Sequence, residues 1–162
     1  MTLSQKESML LQELKTHEEL CIEKYDKYSQ EAHDGCLKNL FTDLSRVERG
    51  HLDTPNQMIG GTVPSMTASQ GGGQSSSSSS SSSQSWQSGG GYSGSAEQKQ
   101  ADSYLCQDAL SNEKHVSSLY DTCIFEFKTT EMRDALNHIQ KEEQQHGEQI
   151  YQYMAQNGMY NG

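Results

Sequence analysis

The sequence predicts an all-α protein, an antiparallel four-helix bundle made of two helical hairpins joined by a long Gly/Ser-rich linker. Three observations predict it. Apolar residues recur at helical period in four segments, no segment shows the alternation of a strand, and a low-complexity stretch divides the four into two pairs. Of the 162 residues, 31% are hydrophobic and 7% aromatic, below the roughly 45–50% apolar content of globular chains, a figure that also counts Gly. The deficit is local: between Gly60 and Gly94 stand glycine triplets, nine consecutive serines from Ser75 to Ser83, and the single Trp86. Outside that stretch about 120 residues of amphipathic character remain, enough for one compact core.

Ser4 and Glu7 form a capping box, after which Leu10, Leu11, Leu14, Cys21, Ile22 and Tyr25 recur at helical spacing, so the first helix is expected from about Ser4 to His33. Asp34-Gly35 stops it. A second stripe, Leu37, Leu40, Phe41, Leu44 and Val47, runs on to Met58 and Ile59 before Gly60-Gly61. Within it Pro55 follows His51 by four residues, which removes one helical hydrogen bond and predicts a kink. The linker occupies 60–95; its composition cannot bury enough apolar area to order itself, so disorder is expected there. A chain of that length can return to either end of the bundle, and sequence leaves the two topologies open. The string Gly89-Gly90-Gly91-Tyr92-Ser93-Gly94 matches a dinucleotide-binding pattern only literally, since no strand precedes it. Ser95 and Gln98 open the third helix, marked by Leu105, Cys106, Ala109, Leu110, Val116, Tyr120, Cys123, Ile124 and Phe127. Lys128-Thr129-Thr130 breaks it. Met132, Leu136, Ile139, Ile150 and Met154 carry the fourth helix to a glycine cap at Asn157-Gly158. The expected organisation is one hairpin over 1–59, the linker over 60–95, and a second hairpin of the same bundle over 96–162.

The formal charge of −10, from 22 acidic and 12 basic residues, repels phosphate backbones and gains nothing from counterion release, so nucleic-acid binding is not expected. The longest purely apolar run is Met9-Leu10-Leu11, and the N-terminus lacks a basic flank and apolar stretch, so neither membrane insertion nor classical secretion is expected. Cys21, Cys36, Cys106 and Cys123 show no C-x-x-C pairing and read as free, mostly buried thiols.

The informative feature is a repeat. Glu48-Arg49-Gly50-His51 and Glu143-Gln144-Gln145-His146 are both Glu-x-x-His, and each follows a glutamate 30 residues upstream, Glu18 and Glu113 respectively. An offset of 95 maps each member onto its partner, as it maps Tyr25 onto Tyr120, Leu10 onto Leu105 and Leu44 onto Ile139. With 14 glutamates and 6 histidines in the chain, composition alone predicts fewer than one Glu-x-x-His, and two are present. The two hairpins read as copies of one unit. Each glutamate pair is equidistant from its turn, about 22 Å along either helix at 1.5 Å per residue, so Glu18 faces Glu48 and Glu113 faces Glu143.

All six groups lie on the apolar stripes and point inward, because Glu18 sits between Leu14 and Cys21, Glu113 between Leu110 and Val116, and the two Glu-x-x-His doublets follow Leu44 and Ile139. Four buried carboxylates without compensation cost several kcal/mol per ion. Two divalent cations would remove that cost, and a Glu from each of two helices plus Glu-x-x-His from each of the other two is a di-metal carboxylate set. Glu18, Glu48, His51, Glu113, Glu143 and His146 are therefore the expected ligands. Hard oxygens with two imidazoles suit iron or manganese, with zinc admissible. A metal-free hydrogen-bond network is the competing reading of the same residues. Glu19 is turned by about 100° from Glu18 and its offset partner is Lys114, so Glu18 is preferred. His17, His33, His115 and His138 read as surface or rim residues, and Tyr25 and Tyr120 as core filling.

With these residues in view the chain resembles the ferritin-like superfamily and, more narrowly, the spore coat proteins of the Coat F family, clostridial type. The resemblance rests on Leu11 to Tyr25, Leu37 to Met58, Tyr104 to Phe127 and Asn137 to Gly162, and omits the serine-rich stretch. It implies a ferritin-like bundle, a place in the spore coat after synthesis in the mother-cell cytoplasm, and a structural or assembly role. It also implies other coat proteins as partners, with a homo-oligomer as a further option. The six residues named above occupy the ferritin-like metal positions, so two divalent metal ions are the implied cofactors. No catalytic activity follows from the resemblance; a di-iron or manganese oxidase or peroxide scavenger is the alternative that an intact ligand set allows.

Overall fold

The computed structural model describes residues 2–64 and 91–160, and all the secondary structure there is helical. α1 runs Gln5–Glu31, α2 Gly35–Ile59, α3 Ala96–Glu126 and α4 Thr130–Gln156. The expected disorder of the linker, Trp86, and the start of the Gly89–Gly94 string lie outside the described residues. Both capping boxes form: the Ser4 and Ser95 hydroxyls accept from the N–H groups of Glu7 and Gln98, whose side chains return to the cap N–H. α2 and α4 end alike. Gly61, at φ 82°, and Gly158, at φ 63°, take the left-handed conformation. The next N–H then reaches back five residues, Thr62 to Gln57 O at 2.9 Å and Met159 to Met154 O at 2.8 Å.

α1 stops at Glu31, two residues short of the expected His33. Buried Asp102 on α3 explains the difference: its two carboxylate oxygens accept the N–H groups of His33 and Asp34 at 2.8 and 2.9 Å. Those donors would otherwise point back into the helix. The opposite end has the same device, where Glu7 on α1 accepts the Lys128 N–H at 3.2 Å in the α3–α4 turn. Glu7 and Asp102, like His33 and Lys128, are separated by 95 positions.

α1 packs beside α2 and α3, and α4 beside α3 and α2. Lys6 meets Glu126 at one end of the α1–α3 seam, Lys24 meets Asp108 further along, and Asp102 reaches the α1–α2 turn, so α1 and α3 are antiparallel. α2 and α4 are antiparallel as well, since Glu48 meets His146 while His51 meets Glu142 and Glu143. α2 and α3 therefore run the same way, so the end of α2 and the start of α3 lie at opposite ends of the bundle. Sequence had left that choice open.

The core falls into two clusters. Leu11, Leu14, Met58, Tyr120, Met132 and Leu136 belong to one; Tyr25, Leu37, Phe41, Leu105, Ile150 and Tyr153 belong to the other. Shifting by 95 carries members of one cluster into the other, Leu37 to Met132 and Tyr25 to Tyr120. The hairpins are thus related by an approximate two-fold axis across the bundle.

Candidate metal centre

Between the two apolar clusters lies a polar layer. Glu18, Glu48, His51, Glu113, Glu143 and His146 are all buried there, each at most 3% exposed. They reach it because i and i+3 on a helix share a face, so Glu48 and His51 on α2, and Glu143 and His146 on α4, enter as doublets. Two groups of four side chains result. Glu18, Glu48, His51 and Glu143 form one, Glu48, Glu113, Glu143 and His146 the other, and in each the candidate ligand atoms lie within 4.8 Å of one another. Glu48 and Glu143 belong to both. Glu19, the rival on α1, is exposed.

The imidazoles aim Nδ1 at the shared carboxylates. His51 Nδ1 is 3.1 Å from Glu48 Oε2 and 2.9 Å from Glu143 Oε1. His146 Nδ1 is 3.0 Å from Glu48 Oε1, 3.4 Å from Glu143 Oε2 and 3.6 Å from Glu113 Oε1. The two rings stack at 5.4 Å. Tyr25 and Tyr120 fill core as expected and also do more: the Tyr25 hydroxyl donates to Glu113 and the Tyr120 hydroxyl to Glu18, a reciprocal pair across the α1–α3 seam. Three buried carboxylate oxygens, Glu18 Oε2, Glu113 Oε2 and Glu143 Oε2, have no hydrogen-bond partner.

Protons distribute to balance charge in the metal-free layer. Burial lifts Glu18 well above the usual carboxylate range, assisted by the charges of Glu48 and Glu143. Burial does the same to Glu113, assisted by a proton shared with Glu143. Glu48 and Glu143 feel burial too, but hydrogen bonds from His146 and His51 outweigh it and hold both below the ordinary value. Burial opposes charging of the imidazoles, yet their carboxylate partners raise His51 to about 11 and His146 to about 12. Two imidazoliums thus face two carboxylates while Glu18 and Glu113 stay neutral. Two divalent cations with four carboxylates and two neutral imidazoles would carry the same zero net charge.

Pro55 is buried inside α2, and the helix continues beyond it to Ile59. His51, whose carbonyl loses the Pro55 donor, still meets the shared carboxylates. His33, His115 and His138 are exposed and His17 is half-buried, with the His17 and His115 rings 4.9 Å apart on the outer α1–α3 seam. The four cysteines are free thiols; Cys21, Cys106 and Cys123 are buried and Cys36 is half-buried. Burial pushes the Cys123 thiol up to about 12.

Sequence reasoning missed Glu142, whose Oε2 lies 2.7 Å from His51 Nε2 and whose Oε1 lies 3.3 Å from His138 Nε2. Its offset partner is Val47, so the repeat concealed it. The roles of Asp102 and of the tyrosine hydroxyls were missed as well, although the 95-residue offset pairs Asp102 with Glu7 and Tyr25 with Tyr120.

Fold and site together define a class: an antiparallel four-helix bundle of two related hairpins, with a central layer of four glutamates and two histidines. Residues 101–161, nearly all of the second hairpin, match the family model described as the Coat F domain. The second hairpin is thus similar to the Coat F domain of spore coat proteins. No curated protein and no solved structure gives a significant match. None of the described helices is long and apolar enough to cross a membrane.

Proposed function

We propose that this protein is a structural or assembly component of the spore coat whose ferritin-like bundle is pinned at mid-height by two divalent cations, iron or manganese, with zinc admissible. The observation that carries the reading is that buried carboxylate oxygens of Glu18 and Glu113 accept no hydrogen bond, while a third, on Glu143, has only a long 3.4 Å ion-pair contact with His146 Nδ1. Such atoms are costly unless something positive meets them, and each belongs to a four-ligand group. Glu18 and His51 would hold one cation, Glu113 and His146 the other, and Glu48 and Glu143 would serve both. Each cation would draw on three of the four helices, so the layer would tie the hairpins together. Tyr25 and Tyr120 would orient the outer glutamates through their hydroxyls.

The surface suits assembly with coat partners, including further copies of the chain. Phe125 is 83%, Tyr104 68% and Met9 66% exposed, and Tyr151 and Tyr160 are also exposed. Three of the four thiols are buried, so the oxidisable groups facing neighbours are mainly phenols. Metal analysis of protein purified under reducing conditions tests the reading. About two Fe or Mn per chain are expected, with none in Glu143→Ala and a melting temperature raised by metal only in the unaltered protein. Metal-free protein that melts unchanged when Fe(II) or Mn(II) is added would overturn it.

One observation favours a second reading, an oxidase or peroxide scavenger. A cavity of about 380 Å³ between α3 and α4 is lined by Leu110, Lys114, Ser117, Gln144 and Gly147, and Glu113 and Glu143 border it. Bound iron or manganese would supply redox chemistry toward peroxide or dioxygen. The chain would contribute the ligand set and a small opening to it. Peroxide consumption that tracks metal content and disappears in Glu143→Ala supports this reading; consumption equal to that of free metal removes it.

A further inference from the structure

The two-fold relation between the hairpins fails at one contact beside the centre. His51 has both ring nitrogens engaged, Nδ1 by Glu48 and Glu143 and Nε2 by Glu142 at 2.7 Å. Glu142 is itself steadied by His138, one helical turn away on α4, at 3.3 Å. A carboxylate behind a ligating histidine fixes the ring and raises the basicity of the inner nitrogen. The position related to Glu142 by the 95-residue offset is Val47, which offers His146 no such acceptor, and the position related to His138 is Asp43. A second difference points the same way: Glu113, which belongs to the His146 half alone, borders the cavity between α3 and α4.

We propose that the two halves of the centre are unequal, with Glu142 acting as a positioning residue that makes the Glu18/His51 half bind a divalent cation more tightly than the Glu113/His146 half. The inference rests on the metal-centre reading and adds an order of filling to it. The cation at Glu18 and His51 seats first and leaves last; the one at Glu113 and His146 exchanges.

Cobalt(II) absorption titration of the full chain tests this, because each half filled contributes its own visible bands. Two steps at least about tenfold apart in affinity are expected. Glu18→Gln should delete the tighter step and Glu113→Gln the weaker. Glu142→Gln should weaken the tighter step by about 10–100-fold and leave the weaker one in place. Val47→Glu supplies a gain-of-function arm: Val47 is 39% exposed, so the glutamate can be accommodated, and it should strengthen the weaker step. Two equal steps that Glu142→Gln does not alter would overturn the inequality while leaving the metal centre standing. Failure to bind cobalt at all would overturn both.

Discussion

The first and second hairpins share a polar layer and differ in much of what surrounds it. Glu18, Tyr25, Glu48 and His51 recur as Glu113, Tyr120, Glu143 and His146, whereas Leu14 corresponds to Ala109, Leu40 to Ala135, Pro55 to Ile150 and Met58 to Tyr153. The apolar positions have exchanged volume between large and small because a core accepts many repackings that conserve total volume. The layer has no such latitude. Each of its groups answers a specific partner, and a buried carboxylate without one costs far more than a poorly filled gap.

That contrast can be broken most severely in the core. Leu14 is fully buried while its counterpart Ala109 is already small, so Leu14→Ala should cost about 2–5 kcal/mol in denaturant unfolding. Removing the helix-end carboxylates should rank the two ends. Asp102→Ala leaves the His33 and Asp34 N–H groups and the Tyr92 hydroxyl without their acceptor, a loss of about 2–4 kcal/mol. Glu7→Ala uncovers one turn N–H and half a capping box, a loss of about 1–2 kcal/mol. Equal losses at both ends would contradict the ranking.

The remaining effect is protonic. His51 and His146 titrate near 11 and 12 in the metal-free fold against about 6.5 in an unfolded chain. Their contribution to stability is complete below about 6.5 and is lost as pH rises through 11 to 12. Metal must displace those protons and the ones on Glu18 and Glu113, so affinity should rise with pH between 6 and 8. Calorimetry in buffers of different ionisation enthalpy should report protons released on metal binding, those of His51 and His146 among them. Release of none would mean that the layer is not charged as described.

The four helices and their ends were legible because capping boxes, periodic apolar residues and terminal glycines are local signals. The six layer residues were legible for a related reason: Glu-x-x-His fixes a shared helical face, and equal distance from a turn fixes height. Features that depend on how helices rotate against each other were not. The reciprocal Tyr25–Glu113 and Tyr120–Glu18 contacts cross the α1–α3 seam, and the direction of α3 depends on a connection whose composition encodes no path. Asp102 looked like an ordinary polar residue of a second helical turn until the α1–α2 turn was placed against it. Glu142 was hidden by the reasoning that found the site, since a search by internal repeat passes over what only one hairpin has.

The most direct test is anomalous diffraction from crystals grown with Mn(II) or Fe(II). Two peaks about 3.5–4 Å apart are expected, both between Glu48 and Glu143, one beside Glu18 and His51 and the other beside Glu113 and His146. A layer without a peak, or metal bound only at the protein surface, would contradict the account.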